Sequence, residues 1–281
     1  MRVGYLGPAG TYSEEALRAS APDGIEEVPY PTIYDTVMAV EEGTVARAVV
    51  PIENALEGAV AVTLDTLALD ATDLRIVAEV VHPIHHCVVA ARDLDLADVK
   101  RVVSHPQATA QCRRFLREHL GSAERVVAPS TADAVLSVRD SAEPDVALGS
   151  RLAADLYGCQ ILVADVEDHP DNVTRFVWLA RAGEADEPGV GGKTSVVFWG
   201  GGDQSPGWLV HALREFADRG VNLTRIESRP RRTSLGHYMF FVDLEGGAAD
   251  PLVAEALGAL ADQVEELRVL GSYTNTSGVP G

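Results

Sequence analysis

Ala46-Arg47-Ala48-Val49-Val50-Pro51-Ile52-Glu53-Asn54 is the stretch on which the fold turns. Its short apolar run, closed by a proline, a carboxylate and an amide, predicts a buried parallel strand with a polar end. Two other strings repeat the design. Arg101-Val102-Val103 runs into Ser104-His105-Pro106-Gln107, and Asn172-Val173-Thr174-Arg175-Phe176 leads into Val177-Trp178-Leu179-Ala180. In open α/β sheets a ligand sits at the strand ends where strand order reverses. Three polar strings on three strand ends therefore predict one cleft for a small polar molecule. Their amide, hydroxyl and guanidinium groups suit an anion.

Outward from these strings, strands and helices alternate to about residue 180, which predicts an α/β unit of two lobes. Strands are expected at 2–6, 25–28, 46–50, 101–104, 125–128, 145–149 and 161–165. Helices are expected from Ser13, over 32–42, 60–69 and 107–119, from Thr131, and over 150–157. An extended stretch at 74–90 reads as the crossover between lobes, with a return near 165–175. The catalytic unit is thus expected over 1–181. A Gly-rich acidic linker covers 182–193. Over 194–272 the order β-α-β-β-α-β is ferredoxin-like, and 273–281 reads as a flexible tail.

The 281 residues suffice for two cores. The net charge is −19, and Lys100 and Lys193 are the only lysines among 23 Lys and Arg residues. That balance predicts no nucleic-acid partner and no anionic membrane partner. A bound anion would then need local Arg side chains and backbone N–H groups. Cys87, Cys112 and Cys159 lack a CxxC spacing and read as reduced thiols. Met1-Arg2-Val3-Gly4-Tyr5 enters a strand at once, so no signal peptide and a cytoplasmic location are expected.

Several strings carry chemistry. Gly7-Pro8-Ala9-Gly10-Thr11-Tyr12-Ser13 joins a strand to a helix and could hold a carboxylate on helix amides and hydroxyls, or simply be a turn capped by Ser13. It lacks the Gly-Lys-Ser/Thr of a phosphate-binding loop. His82, His85 and His86 have no matching acidic or thiol ligand, so no metal is expected. Ser104 and Gln111 sit where a helix start can point both at the cleft mouth. Glu53 reads as an acid or as a structural ion-pair partner. Cys112 has no obvious base, which argues against nucleophilic catalysis.

Taken in order, Gly7–Ser13, Pro51-Ile52-Glu53-Asn54, Ser104-His105-Pro106-Gln107 with Gln111-Cys112, Thr174-Arg175-Phe176 and Glu227-Ser228-Arg229-Pro230 resemble the prephenate dehydratases that carry a C-terminal ACT regulatory domain. The resemblance covers nearly the whole chain. It implies a catalytic unit like the two lobes of periplasmic binding proteins, with no metal or organic cofactor. The implied reaction takes prephenate to phenylpyruvate, water and carbon dioxide, on the way to phenylalanine.

By motif, Asn54, Ser104, Gln111 and Thr174 form the catalytic set. Thr11, Ser13, Glu53, Arg175 and Phe176 would bind substrate. Gly207, Trp208, Leu209, Asn222 and Leu223 would bind phenylalanine or another aromatic amino acid across a subunit interface, in a homodimer or homotetramer. Two departures stand out. Ala55 replaces a Ser or Thr common in the family. Trp208 replaces an alanine, which predicts weakened inhibition by phenylalanine because the indole would fill the effector pocket. Two other readings are open: an arogenate dehydratase, and a non-catalytic two-lobed anion-binding protein fused to a sensing domain.

Overall fold

The computed structural model describes residues 1–184, 192–200, 202 and 205–274. Most of the expected linker and all of the expected tail beyond Thr274 lie outside those residues. The first lobe comprises β1 (Arg2–Leu6), α1 (Tyr12–Ser20), β2 (Glu26–Tyr30), α2 (Ile33–Glu41), β3 (Arg47–Asn54), β4 (Gly58–Ala59), α3 (Ala61–Leu69) and β5 (Leu74–Pro83). The second comprises β6 (Cys87–Ala90), β7 (Arg101–Ser104), α4 (Pro106–Gln111), α5 (Arg113–His119), β8 (Glu124–Val127), α6 (Thr131–Arg139), β9 (Asp145–Gly149), α7 (Arg151–Tyr157) and β10 (Gln160–Val163). β11 (Val173–Arg181) then re-enters the first lobe.

Each lobe has its own sheet, in the orders β2-β1-β3-β11-β5 and β10-β6-β9-β7-β8, with β4 added to β3. Strand order departs from chain order in both, and the ends of β3, β7 and β11 meet between the lobes. The expectation of parallel strands holds for β1 against β2 and β3, and for β7 against β8 and β9. It fails for β11, which is antiparallel to both β3 and β5. The cause is topological: β3 runs toward the lobe junction, whereas β11 starts there on its way back.

The helix expected over 107–119 breaks at Cys112, whose backbone sits at φ −116, ψ 24. Asp168 enforces the break. Its N–H donates to the Gln111 carbonyl at 2.6 Å, and its carboxylate accepts from the Arg114 N–H at 3.0 Å. The extended stretch 74–90 divides into β5 and β6, leaving Ile84, His85 and His86 as the first of two connections between the lobes, the return running over 164–172.

The C-terminal unit comprises β12 (Lys193–Trp199), α8 (Trp208–Ala217), β13 (Leu223–Pro230), β14 (Tyr238–Glu245), α9 (Pro251–Ala261) and β15 (Glu266–Tyr273), with sheet order β13-β14-β12-β15, all antiparallel. Period-two alternation gives the sheet two apolar faces. Val196 and Phe198 pack under α8 and α9. Val197, Met239, Phe241 and Leu270 instead join the core of the first lobe, with Val37, Leu64 and Ile76. Each such buried side chain contributes about 1.5–3 kcal/mol, so the unit is fused to the lobe below it. Tyr273, expected in the tail, is only 1% exposed, and its hydroxyl lies 2.7 Å from Ser195 Oγ.

Candidate active site

The register of β3 on β11 pairs Asn54 with Thr174 and Glu53 with Arg175. Side chains alternate along a strand, so Asn54 and Thr174 face the gap between the lobes while Glu53 and Arg175 face away. Thr174 and Phe176 share the cleft face and line a cavity of ≈ 310 Å³ together with Asn54 and Gln111.

Asn54 is held rigidly. Its Oδ1 accepts from the backbone N–H groups of Leu56 and Glu57, both at 3.0 Å. Its Nδ2 donates to Asn172 Oδ1 at 3.0 Å and to Thr174 Oγ1 at 2.9 Å. Thr174 Oγ1 therefore accepts one hydrogen bond and keeps its own proton for a partner in the cleft. Gln111, at the end of α4, accepts on Oε1 from Asn172 Nδ2 at 3.1 Å and lies 3.0 Å from His86 Nε2. Its Nε2 is buried without a partner. A buried donor left unmade costs roughly 1–3 kcal/mol, which marks this group as one awaiting a ligand.

Two nine-residue helices begin at the cavity, one from each lobe. Thr11 caps α1, accepting from the Glu14 N–H at 3.4 Å, and Thr11 and Ser13 both line the space. Ser130 caps α6, accepting from the Asp133 N–H at 2.9 Å, and Ser130 and Thr131 line the opposite wall. Helix N-termini favour anions. No Arg or Lys is among the described residues lining the cavity. The arginines expected to meet an anion are therefore not at this cavity; the helix amides expected beside them are, together with hydroxyls and carboxamides. His86 and His105 also line it, and burial pushes both imidazoles below their ordinary value, so they favour the neutral form.

Three expected site residues lie elsewhere. Arg175 is buried against the C-terminal unit, 2.7 Å from Asp243, 3.1 Å from Glu53 and 3.2 Å from Glu79. Glu53 also lies 3.5 Å from Arg225. Both Glu53 and Arg175 belong to a separate cavity under that unit. Ser104 is buried, donates to the His105 carbonyl at 3.1 Å and is not among the lining residues. The helix cap there is His105. Ser13, read as a cap, is displaced from that role by Thr11.

From the sequence His86 reads as a metal ligand or as a packing, hydrogen-bonding residue, and Thr131 reads as a helix cap, a place Ser130 takes instead; Tyr12, Asn172 and Ser130 carry no role there. The Tyr12 hydroxyl lies 2.8 Å from His86 Nδ1 and 2.7 Å from the His85 carbonyl. Tyr12 and Asn172 sat inside strings already singled out, and Ser130 stood at a helix start. His85, Asp165 and Glu167 bring three metal-binding atoms together. Asp165, however, pairs with Arg151 at 2.9 Å, and Glu167 accepts from the His86 N–H at 2.9 Å.

In the C-terminal unit, Gly207, Trp208 and Leu209 line a cavity of ≈ 230 Å³ at the start of α8 with Gly236 and Tyr238. The Trp208 indole leans inward, its ring 6.1 Å from Phe198 and 5.9 Å from Phe240, and its Nε1 lies 3.4 Å from the Gln263 carbonyl. The indole thus leaves the cavity open, against the expectation that it fills the space. Asn222 and Leu223 line a different cavity beyond the far end of the helix.

Residues 3–184 match the family model for prephenate dehydratase, and residues 194–262 match that for the ACT domain. A prephenate dehydratase from Mycolicibacterium vanbaalenii is 42% identical, covering 96% of this chain and 90% of that one. The crystal structure of a prephenate dehydratase from Arthrobacter aurescens in complex with L-Phe superposes with a TM-score of 0.90 at 38% identity, covering 100% of this chain and 92% of that one. GqqA, described as a novel type of quorum-quenching acylase, superposes with a TM-score of 0.87 at 36% identity, covering 98% of each chain.

Proposed function

This chain belongs to the prephenate dehydratase family, and we propose that the interlobe cleft is where prephenate loses carbon dioxide and hydroxide to become phenylpyruvate. The observation that carries this reading is the pairing of two unengaged donors, Thr174 Oγ1–H and Gln111 Nε2, beneath two opposed helix N-termini. Prephenate is a dianion, and the helix ends and hydroxyls supply its counter-field without a fixed cation. As the bond from the ring to its carboxylate breaks, the electron pair moves through the ring diene and expels the hydroxyl opposite. Hydroxide leaves poorly unless a hydrogen bond or proton meets it. Thr174 donates that hydrogen bond, sharpened by the one it accepts from Asn54. Gln111 donates to a carboxylate, and Phe176 and Ile84 offer the ring an apolar wall. Removing water around the ring carboxylate favours its loss as neutral carbon dioxide.

Ser104 buttresses the start of α4 in this reading, and Glu53 and Arg175 act away from substrate. The acylase activity described for GqqA is not carried over. Acyl transfer wants an activated nucleophile, whereas burial holds the Cys112 thiol far above its ordinary pKa.

The ACT cavity at Gly207 is proposed to take phenylalanine or another aromatic amino acid. Asn222 and Leu223 sit at the other end of α8, so their half of an effector site would come from a second copy. That supports a homodimer or a dimer of dimers. No described helix is long and apolar enough to cross a membrane, and a cytoplasmic location is proposed.

The test is turnover. Purified protein should convert prephenate to phenylpyruvate, with kcat/KM for prephenate above that for arogenate. A preference for arogenate would make the chain an arogenate dehydratase, and binding without turnover of either would leave only an anion-binding protein.

A further inference from the structure

Asn54, Asn172, Gln111, His86 and Tyr12 form one continuous hydrogen-bonded chain across the lobe junction, and its direction is fixed at one end. The backbone N–H groups of Leu56 and Glu57 can only donate, so the Asn54 atom they meet is Oδ1 and the other is Nδ2. Nδ2 donates to Asn172, so Asn172 presents Oδ1 to it and turns Nδ2 toward Gln111. Gln111 must then receive that donor on Oε1, and its NH2 group is turned away from the chain. His86 Nε2 meets the same Oε1, so it carries a proton. The ring is 2% exposed and favours the neutral form, which leaves Nδ1 an acceptor 2.8 Å from the Tyr12 hydroxyl, whose one proton is shared between Nδ1 and the His85 carbonyl. Tyr12 from α1, Gln111 from α4, and the neighbouring His85 and Glu167 are the polar groups about this ring.

We propose that His86 and Asn172 are positioning residues that lock the Gln111 carboxamide with its NH2 group toward the cleft, where it binds a substrate carboxylate. Without them the carboxamide is free to rotate by half a turn and present an oxygen to an anion, which repels it. This inference deepens the reading of the cleft as the prephenate site and rests on it.

Glutamine places a side-chain amide where His86 has Nε2, and asparagine places one where it has Nδ1. His86→Gln therefore keeps the bond to Gln111, while His86→Asn keeps only the bond to Tyr12. His86→Asn and Asn172→Asp should raise KM for prephenate about tenfold or more, the worth of a hydrogen bond to a charged group, with kcat changed much less. His86→Gln should stay within about threefold of wild type. A residue that only filled space would not rank glutamine above asparagine. Equal KM values for His86→Gln and His86→Asn, in folded proteins of matched Tm, would overturn the proposal.

A second measurement needs no turnover. The side-chain 15N–1H pair of Gln111, assigned by its disappearance in Gln111→Glu, should keep its shifts in His86→Gln and move in His86→Asn and Asn172→Asp. Unmoved shifts in all three variants would refute the lock even if prephenate proves not to be the substrate. Absence of prephenate turnover with the shifts behaving as expected would refute the substrate and leave the lock standing.

Discussion

Thr174 and Arg175 are consecutive residues of one strand and serve opposite sides of the sheet. Thr174 shares a 2.9 Å hydrogen bond with Asn54 in the cleft, while Arg175 sits 2.7 Å from Asp243 of the C-terminal unit. Their partners in β3, Asn54 and Glu53, divide the same way. The pleat of two neighbouring strands therefore sets the Thr174 hydroxyl on the opposite face from the ionic cluster that ties down the ACT sheet.

Arg175→Ala should destabilise the protein. The guanidinium is buried with Glu79 and Asp243, and removing one member of a buried ion cluster costs about 3–5 kcal/mol. Urea unfolding should show this as a lower midpoint. A midpoint equal to wild type would mean that the cluster is solvated and contributes little.

Gly271→Ala should weaken the union of the ACT sheet with the first lobe. A Cβ at Gly271 would meet the Ile76 carbonyl oxygen at 2.1 Å, a distance no side chain tolerates without backbone movement. Overpacking of this kind costs about 1–3 kcal/mol. Thermal unfolding of the variant should begin earlier; an unchanged Tm would show that β15 moves freely over β5.

Much of this was legible beforehand. The strings at Asn54, Gln111 and Thr174 gave the cleft and most of its donors, because strand ends punctuated by Pro and Asn are a local signal. The separation of Thr174 from Arg175 was also open to a period-two argument, but the motif binds them as one string and hides it. The partners of Arg175 lie in β5 and β14, and no local pattern announces pairings that distant. The role of His86 depended on which groups face its two nitrogens, which only the assembled lobes determine. The inward lean of Trp208 likewise follows from the positions of Phe198 and Phe240 on two other strands.

Acidification should destabilise the folded state near neutrality. Burial lowers the His86 and His105 pKa values, so the unfolded chain binds more protons, and stability rises with pH in that window. The contribution is complete above the unfolded imidazole value of about 6.5 and is lost as pH falls through the folded values. Unfolding free energies measured from pH 7.5 down to 5 should fall less steeply in His86→Gln than in wild type. Parallel curves would show that His86 is not held neutral.

Phenylalanine should inhibit the wild-type enzyme, since the Trp208 indole leaves the cavity beside Gly207 open. Trp208→Ala should lose stability on the order of 2 kcal/mol from the Phe198–Phe240 cluster while inhibition persists. Inhibition that appears only in Trp208→Ala would show that the indole occupies the effector space after all.

The central claim is that the Thr174 hydroxyl meets the departing hydroxyl of prephenate, and steady-state kinetics of Thr174→Val beside Thr174→Ser test it most directly. Valine keeps the shape and removes the donor, so kcat should fall on the order of 10²–10³-fold while KM moves little, because the bond strengthens only in the transition state. Serine should restore most of kcat. A folded Thr174→Val enzyme that turns over prephenate at the wild-type rate would contradict the account.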